Sequence, residues 1–592
     1  MTNQVWQRFL AISAVVCLLF LAACSSGGGN NDAGTGAKSE AGQNKTGENG
    51  SGQPEQKEPA AAEKVDPFGK YEPEIVVETV KATETNVKFA PGQSWDSNIW
   101  FDLIKRTLGI QIKNIWLAPA EGQQFEQKMN VTIASGDLPD FFEVSGSQLQ
   151  QLAEDGQIAD LTAVYDNYGS PLLKDLLDFD KGISLSAATI GGKLMAIPKP
   201  FGYSDTQGFI WIRNDWLQKY GLTPPEKLDD VWQIAQTFVD KQAGGAGTIG
   251  LPLRKDLEGD LGGVDQMFNS YHAYPRMWVK GQDGKLVYGS IQPEMKEALG
   301  KLQELYKSGI IDQEFGVKDY GKVCESALAS GKAGIYFGGM ADPLGCTSSG
   351  FQKEQADWVP YKLVSNDGKP VLSQAKIAPP SYYVVSKDAK HPEALIKILN
   401  LFGDVGFGER SKETHQDYNP LYFSQVGDTP SANFHVMPFV VFLQNKNVLD
   451  HKDYMEYLKD PAGYAFQETS DKQLFENMDA YLKWKETPGQ PVDQTIATSW
   501  AYYMIFGPVS TQAVIDEAMQ NNRYIFDEYL GPPTETMKQK QALLSKAEKD
   551  MMTRIVMGSA SIDEFDKFVD QWRKLGGDKI TEEVNAWYEA RK

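Results

Sequence analysis

A chain of 592 residues exceeds what one hydrophobic core normally serves, so two or more lobes are expected, and its 41% apolar and 11% aromatic content is enough to build them. The 58 Lys and Arg stand against 79 Asp and Glu, a formal charge of −21 with no basic tract. That balance excludes nucleic acid as a partner and fits solubility at a crowded surface.

Phe9 to Ala23 is almost entirely apolar, with Arg8 as the only positive charge before it. The run is shorter than the roughly 20 residues needed to span a bilayer. It has the length and small-residue exit of a signal-peptide core, over 1–23. After it no apolar run is long enough to cross a membrane, so the chain is not itself a pore. Ser25 to about Lys64 holds mostly Gly, Ser, Asn, Ala, Glu, Lys, Gln and Pro, with no aromatic residue. Such a stretch cannot bury enough apolar surface to offset its ordering entropy. A polar linker is expected over 24–70, reaching about 35 Å root-mean-square, with order starting near Phe68 and Tyr71.

Glu74 to Val80 reads as the first strand and Asp96 to Leu108 as the first helix, capped by Asp96 or Ser97 and stopped by Gly109. A strand at Ile110 to Ile115, a helix at Glu121 to Ala134 and a turn into Phe141 to Val144 follow. Gly191 to Pro198 reads as a hairpin edge leading to a crossover, and Gly208 to Arg213 as a strand. Helices are expected at Asp215 to Tyr220 and Pro225 to Lys241, then a strand from Ile249 to Pro252. Asp283-Gly284 and Asp367-Gly368 carry hairpin chemistry. Pro293 to Ser308 is amphipathic, Gly334 to Gly339 is a buried strand running into a glycine loop, and Pro380 to Ser386 is a strand before a helix at His391 to Phe402. From Thr511 onward the pattern is mostly helical. Alternating strands and helices imply a sheet with helices on its faces, an α/β fold, with ligands at the carboxyl ends of strands.

Of four cysteines, Cys17 leaves with the signal, and Cys324 and Cys346 could either pair or stay as free thiols. The five histidines are scattered without metal-binding spacing, so no metal and no cofactor is expected. No GxSxG elbow and no Walker A pattern occurs.

Leu21-Ala22-Ala23-Cys24 resembles the lipobox of bacterial lipoproteins, in which the cysteine is acylated and becomes the new N-terminus. The alternative is an ordinary secretory signal with an incidental cysteine. The resemblance implies a lipid anchor at Cys24, holding the chain to the extracellular face of the cell membrane.

The folded part resembles extracellular solute-binding protein family 1, the sugar-binding lipoproteins of ABC importers. The stretches that carry this are Ile133 to Asp140, Ile212 to Leu217 with Tyr220-Gly221-Leu222, Ser330 to Gly334, Tyr382 to Lys387 through His391-Pro392-Glu393-Ala394, and Leu575 to Tyr588. The family implies a type II periplasmic-binding-protein-like fold, two α/β lobes joined by crossover strands around a central cleft. On that pattern the first lobe takes 71–205, the second 206–375, a return segment of the first 376–430, and a mainly helical remainder, mostly second lobe, 431–592. It implies no catalytic step, and as partners a mono- or oligosaccharide and ABC permease subunits; a monomer is expected. Many relatives carry an Asp-rich calcium loop before the Ile-Gly-Leu strand. Here that place reads Asp240-Lys241-Gln242-Ala243-Gly244-Gly245-Ala246-Gly247-Thr248, with Asp240 its one carboxylate, which implies that calcium has been lost.

A sugar needs aromatic plates and hydrogen-bonding side chains in a cleft that excludes water. By position near turns and strand ends the candidates are Trp95, Asp140, Trp211, Arg213, Arg254, Tyr271, Trp278, Gly339, Tyr382 and Trp500, each of which could instead be a core, cap or turn residue. The rival readings are a surface carbohydrate hydrolase, needing carboxylates about 5–5.5 or 6.5–9.5 Å apart, and a carbohydrate sensor or adhesin with the same anchor.

Overall fold

The computed structural model describes residues 65–592 apart from 85, 86, 88, 90, 91, 200, 201, 376–378, 380, 409, 411–435, 467, 468, 488, 591 and 592. The signal core, Cys24, nearly all of the linker and part of the return segment lie outside the described residues. Ile75–Thr83 and Ile110–Pro119 pair in parallel, Ile75 opposite Ile110, with helix Ile99–Leu108 between them. The helix buries Trp100, Phe101, Leu103, Ile104 and Leu108, the three-to-four spacing of one apolar face. Its cap is Asn98, whose side chain accepts from the amides of Trp100 and Phe101, and not Asp96 or Ser97. Asp96 is instead held by Asn114 Nδ2 at 2.9 Å. Gly109, at φ 67°, ends the helix in the left-handed conformation that favours glycine.

Three strands, Phe141–Val144, Ser381–Val385 and Ile197–Lys199, form an antiparallel sheet with Ser381–Val385 at its centre. Its apolar residues belong to a core drawn from Val77 to Ile197 and from Tyr382 to Val441. The chain therefore leaves this first core after Lys199 and re-enters it at Ser381. The core reaches Val436–Val441, beyond residue 430 where the return segment is expected to stop. The buried Tyr383 hydroxyl fixes that extension, accepting from Val440 N at 3.0 Å and donating to Val440 O at 3.2 Å.

Phe209–Arg213 is the middle strand of a second antiparallel sheet, between Ile335–Gly338 and Trp358–Tyr361. All five of its residues are buried, because both faces are covered. Ile210 and Ile212 face a core shared with helices Leu228–Asp240, Pro293–Lys307 and Glu535–Val556. Phe209 and Trp211 face another, shared with helix Gln494–Phe506. Cys324 and Cys346 are joined by a disulfide there, with Cα atoms 5.1 Å apart.

Two turns behave differently from each other. Asp283-Gly284 joins Trp278–Lys280 to Leu286–Tyr288 as a hairpin. Asp367-Gly368 does not make one: Trp358–Tyr361 pairs with Phe209–Arg213, whereas Ser373–Ala375 pairs in parallel with Tyr524–Phe526. The strand expected at Ile249 to Pro252 reduces to single bridges from Ile249 to Ala333 and from Leu251 to Ile311.

Candidate functional site

Strand register decides where the two cores meet. In the first sheet Val144 lies opposite Tyr382 and Lys199 opposite Ser381, so the carboxyl ends of Phe141–Val144 and Ile197–Lys199 share an edge. In the second, Gly338 lies opposite Phe209 and Tyr361 opposite Ile210, so the carboxyl ends of Ile335–Gly338 and Trp358–Tyr361 also share an edge. The described part of the crossover, 202–208, leads into Phe209 at the second edge, and Ser381 begins its strand at the first. A third passage, Gln444 and Asn445, leads from the first core into helix Lys446–Tyr457.

Asp205 is the hub of this junction. It sits in the one-turn helix Tyr203–Thr206 and accepts from Asn447 Nδ2 at 2.8 Å and Gln512 Nε2 at 3.5 Å. Gln512 also reaches the sulfur of Met340, just past the Gly338-Gly339 loop. Burial pushes the Asp205 carboxyl up to about 6, with Asn447 and Gln512 pulling the other way. Tyr203 stands edge-on to Tyr524 and to Phe526, both at 5.2 Å, and tilted to Phe179 at 5.9 Å; all four rings are half-buried. The Tyr524 hydroxyl donates to Gln207 Oε1 at 2.6 Å.

Four polar side-chain oxygens around the crossover, Ser204 Oγ, Gln266 Oε1, Gln444 Oε1 and Gln512 Oε1, are buried with no hydrogen-bond partner among the described residues. A buried acceptor without a donor costs about 1–3 kcal/mol.

On the first core's edge a cavity of ≈ 300 Å³ is lined by Lys81, Glu143, Lys199 and Ser381 among others. Lys199 pairs with Glu143 at 3.1 Å, Ser381 donates to Glu143, and Lys81 Nζ donates to Met437 O at 2.7 Å. Burial alone would raise Glu143, but Lys199, the Ser381 hydroxyl and Lys81 together hold it below the usual carboxylate range. Burial brings Lys81 down to about 8. On the second core's edge Gly339 N donates to Asp342 Oδ2 at 2.9 Å, and burial, with Asp260 adding to it, pushes Asp342 up to about 8.

Of the residues singled out by sequence, Gly339 is next in the chain to Met340, which Gln512 reaches. Its carbonyl accepts from Trp211 Nε1 at 3.2 Å, and a side chain there would meet the Asp260 carboxyl at 3.1 Å. Trp211 itself is fully buried, stacked on Tyr336, because its strand is covered on both faces. Arg213 is 3% exposed and committed to Asp215 and Glu354, with its guanidinium over Trp216. Trp500 is 0% exposed and stacked on Phe351. Tyr271 and Trp278 are core residues of the second lobe's helical side. Asp140 stands at the amino end of Phe141–Val144, away from the junction, accepting from Glu78 N at 2.8 Å. Arg254 is paired with Asp256 at 2.6 Å. Trp95 packs edge-on against Phe89 beside the first core. Tyr382 lies at the junction edge but is buried, which pushes its hydroxyl up to about 12.

Sequence reasoning missed Tyr203, Asp205, Gln207, Tyr524 and Phe526, which lie in segments without periodicity. The available signal was position: polar and aromatic residues between the two apolar strands of a crossover. Lys81 and Glu143 offered another, a charge interrupting an apolar strand.

Two α/β cores joined by crossover segments, with strand ends meeting at the junction, define the type II periplasmic-binding-protein-like class. The chain belongs to the bacterial extracellular solute-binding protein family, whose pattern matches residues 105–403. It is 24% identical over 480 residues to the polygalacturonan/rhamnogalacturonan-binding protein YtcQ of Bacillus subtilis, covering 79% of this chain and 84% of that one. It is 28% identical over 235 residues to the fructooligosaccharide ABC transporter substrate-binding protein FusA of Streptococcus pneumoniae, over 36% of this chain and 42% of that one. The fold is similar to that of an HMO-binding ABC-transporter-associated solute-binding protein from Bifidobacterium longum infantis, with TM-score 0.56 at 16% identity, covering 87% of this chain and 99% of that one. It is also similar to that of alginate-binding protein AlgQ2, solved without calcium ion, with TM-score 0.53 at 16% identity, covering 89% and 100%.

Proposed function

We propose that this chain is the extracellular receptor of an ABC importer, held to the membrane by a lipid on Cys24, which captures an oligosaccharide at the junction around Asp205. The two cores act as lobes, the first from 71–205 and the return segment, the second from 206–375 and most of the remainder. Sugar rings lie on the half-buried faces of Tyr203, Tyr524 and Phe526, and hydroxyls donate to Asp205 and to the four unpartnered oxygens. The observation that carries this reading is the convergence, at one junction, of aromatic plates with buried acceptors that lack donors. It is supported by relatives named for polygalacturonan/rhamnogalacturonan binding and for fructooligosaccharide transport.

Binding both lobes at once favours the arrangement in which both touch sugar, a population shift that the permease then reads. No bond in the sugar is cut; the ligand leaves as it arrived. Thermal unfolding against a panel of neutral and uronate oligosaccharides tests the proposal. A ligand at about 100 times its Kd stabilises by about 2.7 kcal/mol, which raises the melting temperature by roughly 2–5 °C in a folded body of this size. A panel in which no sugar moves the melting temperature would overturn it.

A further inference from the structure

Helix Leu228–Asp240 ends in a turn, 241–248, at the place where the resemblance to the family leads a calcium loop to be expected. Calcium takes six to eight oxygen ligands at about 2.3–2.6 Å. The turn itself holds no carboxylate, and Asp240 just before it is turned back on its own helix, accepting from Gln236 Nε2 at 2.8 Å. The Thr248 hydroxyl is also engaged, donating to Gly245 O at 2.7 Å and accepting from Gly244 N at 3.0 Å. No group of three or more His, Cys, Asp or Glu able to hold a metal occurs among the described residues. The residues present do not fit calcium.

Another cation already holds the turn. Lys332 Nζ donates to Gly244 O and to Ala246 O, each at 2.9 Å, from 86 to 88 residues further along the chain. Its backbone is anchored beside the same turn, where Ile249 N donates to Lys332 O at 2.8 Å. The fit is close on the other side too: a side chain on Gly244 would meet Gly331 O at 2.5 Å and the Trp216 ring at 3.1 Å. An ammonium has three donors and bonds oxygen at just such N–O separations. A divalent ion drawn to these two carbonyls would have to lie within a few ångströms of that positive charge, where like charges repel strongly.

We propose that the Lys332 ammonium is the turn's resident cation, so that the 241–248 turn is held in a metal-independent way. The claim is separate from sugar capture and its test involves no sugar. Melting of the whole chain is compared in excess EGTA and in millimolar calcium chloride, for the unaltered protein and for Lys332→Met, with hydrogen exchange followed at Gly244 to Thr248. The unaltered protein is expected to melt at the same temperature in both solutions, within about 1 °C. Lys332→Met is expected to melt lower by about 2–5 °C, with faster exchange at the turn. Calcium raising the melting temperature of the unaltered protein by more than about 3 °C would overturn the proposal. So would a Lys332→Met variant unchanged in both melting and exchange. If that variant fails to fold, the comparison on the unaltered protein still decides.

Discussion

Asp205→Ala is expected to weaken oligosaccharide binding by about 100-fold, read by titration calorimetry at neutral pH. A hydrogen bond to a charged group contributes about 1.5–3 kcal/mol, which is what the proposed bond from a sugar hydroxyl to this carboxylate would supply. Asp205→Asn keeps the shape and removes the charge, so a smaller loss, about tenfold, is expected. The same variant has a second, opposite effect. The Asp205 carboxyl titrates at about 6 in the folded chain, above its value of roughly 3.9 when unfolded. The folded state therefore holds the proton more tightly, and stability is lost as pH rises from about 4 through about 6, because a charge must then be kept in the junction. Asp205→Asn escapes that cost. It is expected to be more stable than the unaltered chain by about 1–2 kcal/mol near pH 7.5, a gain that disappears below about pH 4. A residue that lowers stability and raises affinity is what a binding site built from buried charge requires.

Trp500→Ala is expected to have the largest effect on stability and none on affinity. The ring is fully buried and stacks on Phe351 with centroids 4.7 Å apart and planes 6° from parallel. Phe351 in turn packs edge-on against Tyr481 and Trp484, so one truncation leaves a hole in an aromatic cluster. Such truncations cost about 3–5 kcal/mol, the lost transfer energy plus a cavity that neighbours fill only in part. In thermal unfolding this is a drop of roughly 3–7 °C. Sugar affinity measured well below the transition should stay within about twofold of the unaltered chain. A large loss of affinity with little change in melting would instead give Trp500 a place against the ligand.

Much of the fold was legible because its signals are local. The helix over Ile99–Leu108 follows from its apolar spacing and from Gly109, and the strand Phe209–Arg213 from an unbroken apolar run. The same run hid the fate of its side chains. A strand covered on both faces reads as uniformly apolar, so nothing local says that Trp211 is enclosed against Tyr336. Asp367-Gly368 looked like a hairpin because turn chemistry is local, while the strands on either side find partners in different sheets. The junction was harder still. Tyr524 and Gln207 are hydrogen-bonded across 317 residues, and Gln512 and Asp205 meet across 307. No periodicity or motif encodes pairings of that length. The missing calcium loop was visible in sequence, but the contact of Lys332 with that turn was not, since Lys332 reaches Gly244 only once the two turns are packed together.

The most direct test is a crystal structure of the chain with the oligosaccharide that binds it most tightly. Sugar rings should rest on Tyr203, Tyr524 and Phe526, with at least one hydroxyl donating to Asp205. A sugar seated elsewhere, with Asp205 still bonded to Asn447 and Gln512 and to no sugar hydroxyl, would contradict the account.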